Sequence, residues 1–382
     1  MSHPSRCVPP RPVRRGAALV CVLASVLATG AATGSWEPAG HDGGLSYPGP
    51  VPGARQAVAP ADPAGDAARL VSRSGDRWSA AYSPQEYEAF RRSLEGEYIG
   101  TGITLRRTPA GRIEVSGVHP GSPADEAGVT PGDILLTVDG ESVDGVPVTE
   151  AVARLRGSDR PEAAGPGSTV LLGLERDGEP REVPATRARL SIEPVTVSRE
   201  ADGVTRIHLS SFTAGSAERL RAAVREAAGD EGILLDLRGN SGGLLTEAAR
   251  AASVFLDGGL VATYDVHGSQ RALHAERGGD TRTPLVVLVD AGTMSSAEML
   301  TGVLQDRNRA VVVGSRTFGK GTVQMPREQP DGSVAELTVG HYVMPSGAVV
   351  EEHGLVPDVV VGPGEDAETR ARTVLSGLAT GR

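Results

Sequence analysis

Two short apolar runs, interrupted only by Asp236, limit the fold more than any other feature: GILLDL at residues 232–237 and LVVLV at residues 285–289. A strand with one wet face alternates apolar and polar residues. A strand without alternation is buried on both faces, as in a parallel sheet covered by helices above and below. Helical patterns flank these runs. Residues 217–228 put Leu220, Ala223 and Val224 on one side, and residues 246–256 and 295–305 are further helix candidates. Shorter strands are expected at 205–209 and 310–313, with strands returning near 337–343 and 359–361. Strands alternating with helices predict an α/β, layered β-α core over residues 189–365.

The beginning of the chain reads differently. Arg6, Arg11, Arg14 and Arg15 precede a short apolar stretch at 17–28 and then small residues. That order predicts a signal peptide over residues 1–34, or an anchor if the segment is retained, and hence a secreted or cell-envelope protein. Both cysteines, Cys7 and Cys21, lie inside this segment, so the processed chain has no thiol for a disulfide, a nucleophile or a metal. Losing the four arginines takes the formal charge from −10 to −14, which excludes a nucleic-acid binder in need of a basic face. Residues 35–75, rich in Pro, Gly and Ala without apolar period, are expected to be a flexible linker. A helical segment follows at 76–97, starting at Ser83-Pro84 with Tyr87, Phe90 and Leu94 on its apolar side.

Residues 98–188 are a text of short strands and turns. Ile103 and Leu105, then Ile113, Val115 and Val118, alternate as half-buried strands do. In GSPADEAGVTPGDILLTVDGESV, residues 121–143, a short helix after Ser122-Pro123 ends at Gly128, a strand covers 134–138, and Asp139-Gly140 signals a hairpin. A second helix is expected at 149–156 and a closing strand at 170–174. This block resembles a bacterial PDZ domain inserted ahead of the core. The resemblance implies that an extended peptide pairs with a sheet edge and that its terminal carboxylate meets backbone N–H groups of a Gly-rich loop. The matching positions are Tyr98, Gly100, Gly102 and Ile103, with Leu135, Val152 and Leu155 as an apolar groove wall favouring free, apolar C-termini. The stretch 158–167 is longer than the usual link and has no assigned role.

The chemistry is concentrated in two places. In VDAGTMSSAEML, residues 289–300, an apolar strand turns at Ala291-Gly292-Thr293 into a helix beginning at Ser295 or Ser296. A serine hydroxyl there sits among free N–H groups, which suits a nucleophile attacking a carbonyl, although Ser295 with Glu298 also reads as a plain capping box. In GSRTFGKGTVQ, residues 314–324, Lys320 stands between two glycines after a buried strand. An apolar setting lowers a lysine pKa toward that of a general base, and no His–Asp pair has comparable context.

Three segments together, LLDLRGNSGGLL (234–245), SSAE (295–298) and TFGKGTVQ (317–324), resemble the C-terminal processing peptidases, the tail-specific protease family. The 25-residue separation of Ser295 and Lys320 and the motif HGLVPDVVV at 353–361 fit the same family. The resemblance implies a crotonase/ClpP-like core and a serine endopeptidase acting on proteins. It makes Ser295 the nucleophile, Lys320 the base and then the acid, and Gln324 the side chain that orients Lys320. It assigns the oxyanion hole to the Ser296 N–H with Gly242 or Gly243. Ala297 departs from the family, which usually has Ser there. No cofactor is expected: HExxH is absent and His267, His274, His341 and His353 lack ligand spacing. Two other readings stay open. GNSGG at 239–243 resembles the serine motif of trypsin-like enzymes, which would make Ser241 the nucleophile. A catalytically inactive PDZ scaffold or chaperone on a protease fold would need a broken dyad. The tail 366–382 and the oligomeric state have no reading.

Overall fold

The computed structural model describes residues 65–380 except 158–163, 201 and 267. The expected signal segment, both cysteines, residues 35–64 of the linker and most of the 158–167 stretch lie outside the described residues.

The centre of the molecule is a six-stranded sheet in the order Val195–Arg199, Val204–Leu209, Gly232–Asp236, Leu285–Val289, Val311–Gly314, Val359–Val360. The first pair is antiparallel and every later pair parallel. The two apolar runs lie in the middle and are buried along their whole length, Asp236 included. Successive side chains point to opposite faces of a sheet. On one face Ile233, Leu235, Leu285 and Val287 pack with Leu220, Val224, Ala248, Ala252, Leu300 and Leu304. These come from the helices Ser216–Glu226, Leu245–Phe255 and Ser296–Asp306. On the other face Leu234, Val286, Leu288 and Val313 need a cover too, and Ala371 and Leu375 supply it. They lie four residues apart on the helix Ala367–Thr380. The segment taken as a tail over 366–382 is therefore, in its described part, a layer of the core.

A second sheet runs Ala80–Tyr82, Val334–Val343, Gly259–Val266, Ser269–Ala275, with Thr322–Glu328 paired to Val334–Val343. The linker expected to reach residue 75 stops short of that. Asp66–Ser74 is a helix whose Ala67 and Val71 are buried against Ala335 of the second sheet.

The PDZ-like domain is a separate sheet in the order Ile103–Arg107, Ile113–Val118, Ile134–Val138, Thr169–Arg176, Glu179–Thr186, with the helices Pro123–Glu126 and Val148–Arg156. It has a core of its own around Leu105, Val115, Leu135, Leu155, Leu172 and Leu174. Asp139 and Gly140, at φ 49° and 79°, make the expected two-residue turn between Val138 and Glu141. The chain enters this domain along Glu97–Gly100 and leaves along Ala188–Ser191, and these two segments pair antiparallel. Side-by-side entry and exit make the domain an insertion. Among the described residues no helix is long and apolar enough to cross a membrane.

Candidate active site

Two neighbouring parallel strands end side by side, and the turns that follow them build the site. Asp290 Oδ1 accepts from Gly239 N and Gly292 N, both at 2.9 Å. Thr293 Oγ1 donates to Leu237 O at 2.9 Å, and Met294 N donates to Asn240 O at 2.8 Å. The turn after Leu285–Val289 is thus tied to the turn after Gly232–Asp236. Catalytic groups of open α/β sheets collect at such carboxyl ends of strands.

Ser295 emerges from this brace as the residue before the helix Ser296–Asp306, at φ 52° and ψ −119°. A non-glycine side chain in that region is strained, and such strain persists only where the surroundings impose it. Here they do. The Ser295 N–H donates to Glu298 Oε2 at 2.9 Å, and the Ser295 carbonyl lies 3.0 Å from the Tyr342 hydroxyl. The neighbouring Ser296 hydroxyl donates to Gly243 O at 2.9 Å.

Glu298 is more than the cap that the sequence suggests. It is fully buried, and its Oε2 also accepts from Lys320 N at 2.9 Å, while Oε1 accepts from Thr317 Oγ1 at 2.6 Å and Gly319 N at 2.8 Å. One carboxylate therefore holds the backbones of Ser295 and Lys320 on the same oxygen. The Tyr342 hydroxyl repeats the link from the other side, 3.0 Å from Ser295 O and 3.2 Å from Lys320 O. Burial pushes the Glu298 carboxyl above its usual range although all four hydrogen bonds pull the other way. The role as a brace was missed because its partners lie 19–22 residues away in sequence.

The Lys320 side chain runs toward the N-terminal segment. Its ammonium lies 5.4 Å from the centroid of the Trp78 ring, within cation–π range. Trp78 also meets Phe318 with ring centroids 5.7 Å apart, and its Nε1 donates to Glu351 Oε1 at 2.9 Å. Glu351 Oε2 in turn accepts from Gly321 N at 2.8 Å. The lysine loop is thus clamped by a tryptophan that no motif marks. Burial lowers the Lys320 pKa, opposed by the negative charges of Glu336, Asp76, Glu351 and Glu298. Among the described residues no hydrogen bond joins the ammonium to Ser295. Gln324 Nε2 donates to Thr322 Oγ1 at 2.6 Å and Thr338 Oγ1 at 3.3 Å, and among the described residues no hydrogen bond joins its side chain to the ammonium. Catalytic contacts are often loose until substrate binds.

The glycines of GNSGG lie against the serine. A Cβ at Gly242 would sit 3.0 Å from both Ser295 Cβ and Met294 O, and one at Gly243 would run into the Phe212 carbonyl. Gly242 N donates to Asn240 Oδ1 at 2.8 Å, so that N–H is already engaged. Ser241 is buried, and its hydroxyl has no partner among the described residues. His208, in the strand Val204–Leu209, has its Nδ1 3.9 Å from Asp236 Oδ2, and among the described residues no hydrogen bond joins it to Ser241.

Residues 203–361 match peptidase family S41, and residues 114–163 match a PDZ domain. A carboxyl-terminal-processing protease of Synechocystis sp. is 35% identical over 286 residues, covering 73% of this chain and 66% of that protein. The carboxy-terminal processing protease CtpA of Bacillus subtilis is 32% identical over 295 residues, covering 76% and 62%. The chain belongs to peptidase family S41. It spans 62% to 66% of the length of these two curated relatives. Among solved structures, the photosystem II D1 C-terminal processing protease matches with a TM-score of 0.51 and 29% identity over 81% of this chain and 84% of that one. An S41 protease from Bacteroides fragilis, at 19% identity and a TM-score of 0.53, shares the fold.

With the S41 core and the PDZ domain identified, the space between them takes on meaning. A cavity of about 790 Å³ is lined by Ile103, Thr104, Val152 and Arg156 of the PDZ domain at one end and by Phe212, Gly242 and Gly243 of the S41 core at the other. Ile103–Arg107 is the end strand of its sheet and pairs only with Ile113–Val118 among the described residues, so its second edge is free. Of the expected groove wall, Val152 lines the cavity, whereas Leu135 and Leu155 are core residues beneath it. Tyr98 lines it as well, its ring 4.8 Å from the Arg156 guanidinium. Gly100 and Gly102 have a structural reason to be glycine: a Cβ at Gly100 would press on the Tyr98 ring at 2.9 Å, and one at Gly102 would overlap Ser122.

Proposed function

We propose that this S41 chain is a serine endopeptidase outside the cytoplasm, cleaving proteins recognised through their C-terminal tails. The observation that carries the reading is Ser295, held in a strained backbone at a helix N-terminus by the same carboxylate oxygen that binds the Lys320 N–H. In the proposed reaction neutral Lys320 takes the Ser295 hydroxyl proton as the oxygen attacks the scissile carbonyl carbon. The oxyanion formed is stabilised by the Ser296 N–H and by Gly243, since the Gly242 N–H is given to Asn240. Collapse breaks the C–N bond. The Lys320 ammonium returns its proton to the leaving amine, and an acyl ester remains on Ser295. Water, deprotonated by the same lysine, then attacks the ester carbonyl; the acyl C–Oγ bond breaks, the acid is released and the lysine returns the proton to Ser295 Oγ. Gln324 would take part through its Oε1, which can accept from the Lys320 ammonium while Nε2 stays on Thr322 and Thr338. The PDZ domain would receive the substrate tail along the free edge of Ile103–Arg107.

The relatives' names support the substrate class, and the arginine-led apolar start of the chain supports export. Ser241 is the weaker nucleophile, because it does not sit at a helix N-terminus as Ser295 does: the helix after it is capped by Leu244. Hydrolysis of an unfolded protein substrate separates the readings. Ser295→Ala should abolish cleavage and Ser241→Ala should leave a measurable rate. The reverse pattern would make the trypsin-like reading correct, and a wild-type chain without turnover would favour the inactive scaffold.

A further inference from the structure

The segment leading out of Val204–Leu209 passes directly beside the glycine loop. Phe212 N donates to Gly242 O at 2.9 Å, Leu244 N donates to Phe212 O at 2.8 Å, and Phe212 and Gly243 form an isolated parallel bridge. The segment is therefore locally extended, and side chains two apart share a side. Phe212 points into the main core. Ser211 and Thr213 point the other way, and both line the cavity that joins the PDZ groove to the catalytic glycines.

Both residues are 4% exposed, and neither Ser211 Oγ nor Thr213 Oγ1 has a hydrogen-bond partner among the described residues. A buried hydroxyl without a partner is unfavourable, and most such groups in folded proteins are satisfied. Two of them, on the same side of one extended segment whose residues line one cavity, mark a place built for a polar ligand that a small side-chain turn would expose. A hydroxyl can donate or accept, which suits the alternating N–H and C=O groups of an extended peptide. The backbone of Phe212 cannot serve, because its N–H and C=O are both spent on the glycine loop.

We propose that Ser211 and Thr213 form a polar subsite that hydrogen-bonds the main chain of the peptide substrate beside Gly243 of the oxyanion hole. This rests on the peptidase reading above and assigns two binding residues that no motif marks. Because the contacts are to main chain, they give grip without selecting a side chain.

The test is binding on the Ser295→Ala protein, so that the peptide is not consumed. The probe is a fluorescein-labelled extended peptide with a free leucine C-terminus. Adding Ser211→Ala or Thr213→Val should weaken its affinity about 3- to 10-fold each, the range of one lost hydrogen bond. The melting temperature should stay level or rise, because an unpartnered buried hydroxyl has been replaced by an apolar group. A peptide N-methylated near the bound segment should lose affinity for the parent protein but little more for the double variant. Unchanged affinity in both variants would overturn the subsite, and so would affinity loss with a falling melting temperature. Hydrolysis by the wild-type chain, followed in parallel, bears on the peptidase reading alone.

Discussion

Lys320 sits between opposing influences, and their balance can be measured. Burial favours its neutral form, while Glu336, Asp76, Glu351 and Glu298 favour the ammonium, with Glu336 the strongest of the four. Neutral lysine is the proposed base, so activity should fall as pH drops through its pKa. Glu336→Gln removes the largest of the charges that raise that pKa. The pKa should fall, and the acid limb of the kcat/KM profile should move to lower pH. A shift to higher pH would mean that Glu336 does not act on the base. Lys320→Arg keeps the charge but cannot lose its proton, so turnover should vanish while the fold survives. Glu298→Gln tests the brace. It replaces an acceptor of four hydrogen bonds with a group that can accept at one oxygen only. Donors left unpaired in the interior cost about 1–3 kcal/mol each. The variant should melt several degrees lower, and well below that melting point it should lose at least about 100-fold in kcat. Normal kcat in a destabilised protein would confine Glu298 to the fold.

The elements that the sequence makes plain are those whose burial is simple. Leu285–Val289 lies at the expected residues, and GILLDL loses only Leu237 from its strand. The helix Pro84–Leu94 starts at the expected Ser83-Pro84, where the structure adds a reciprocal Ser83–Glu86 cap. The strands Gly259–Val266, Ser269–Ala275 and Thr322–Glu328 went unread because each is partly exposed and mixes polar with apolar residues, so neither periodicity dominates. The terminal helix escaped for a related reason. Its buried positions, Ala371 and Leu375, are few among polar residues, and only the second face of the sheet reveals what they cover. Ser295 and Lys320 stand out as candidates because glycines, a strand–turn–helix transition and the family resemblance single them out together. Trp78 and the Glu298 brace were not, since both act across long stretches of sequence. Leu375→Ala should accordingly cost about 2–5 kcal/mol, the usual range for a buried leucine, and lower the melting temperature measurably. A change near zero would show that the helix Ala367–Thr380 contributes little to the core.

At the scale of the whole molecule, a PDZ domain hangs from the S41 core by the paired segments Glu97–Gly100 and Ala188–Ser191, and one cavity runs from its free edge to the glycines beside Ser295. A single peptide can thus touch both domains. If the tail is gripped by its carboxylate, a peptide with a free apolar C-terminus should bind the Ser295→Ala protein far more tightly than its amidated form, and equal affinities would remove carboxylate capture while leaving the catalytic assignment untouched. The central claim is that peptide bonds are broken through an ester on Ser295. Acid quench during turnover of an unfolded protein, followed by trypsin digestion and mass spectrometry, addresses it directly. Ser295 and Ser241 fall in different tryptic peptides, residues 283–307 and 239–250. The account predicts an acyl mass increment on 283–307, lost in Ser295→Ala. An increment on 239–250, or cleavage that persists in Ser295→Ala, would contradict it.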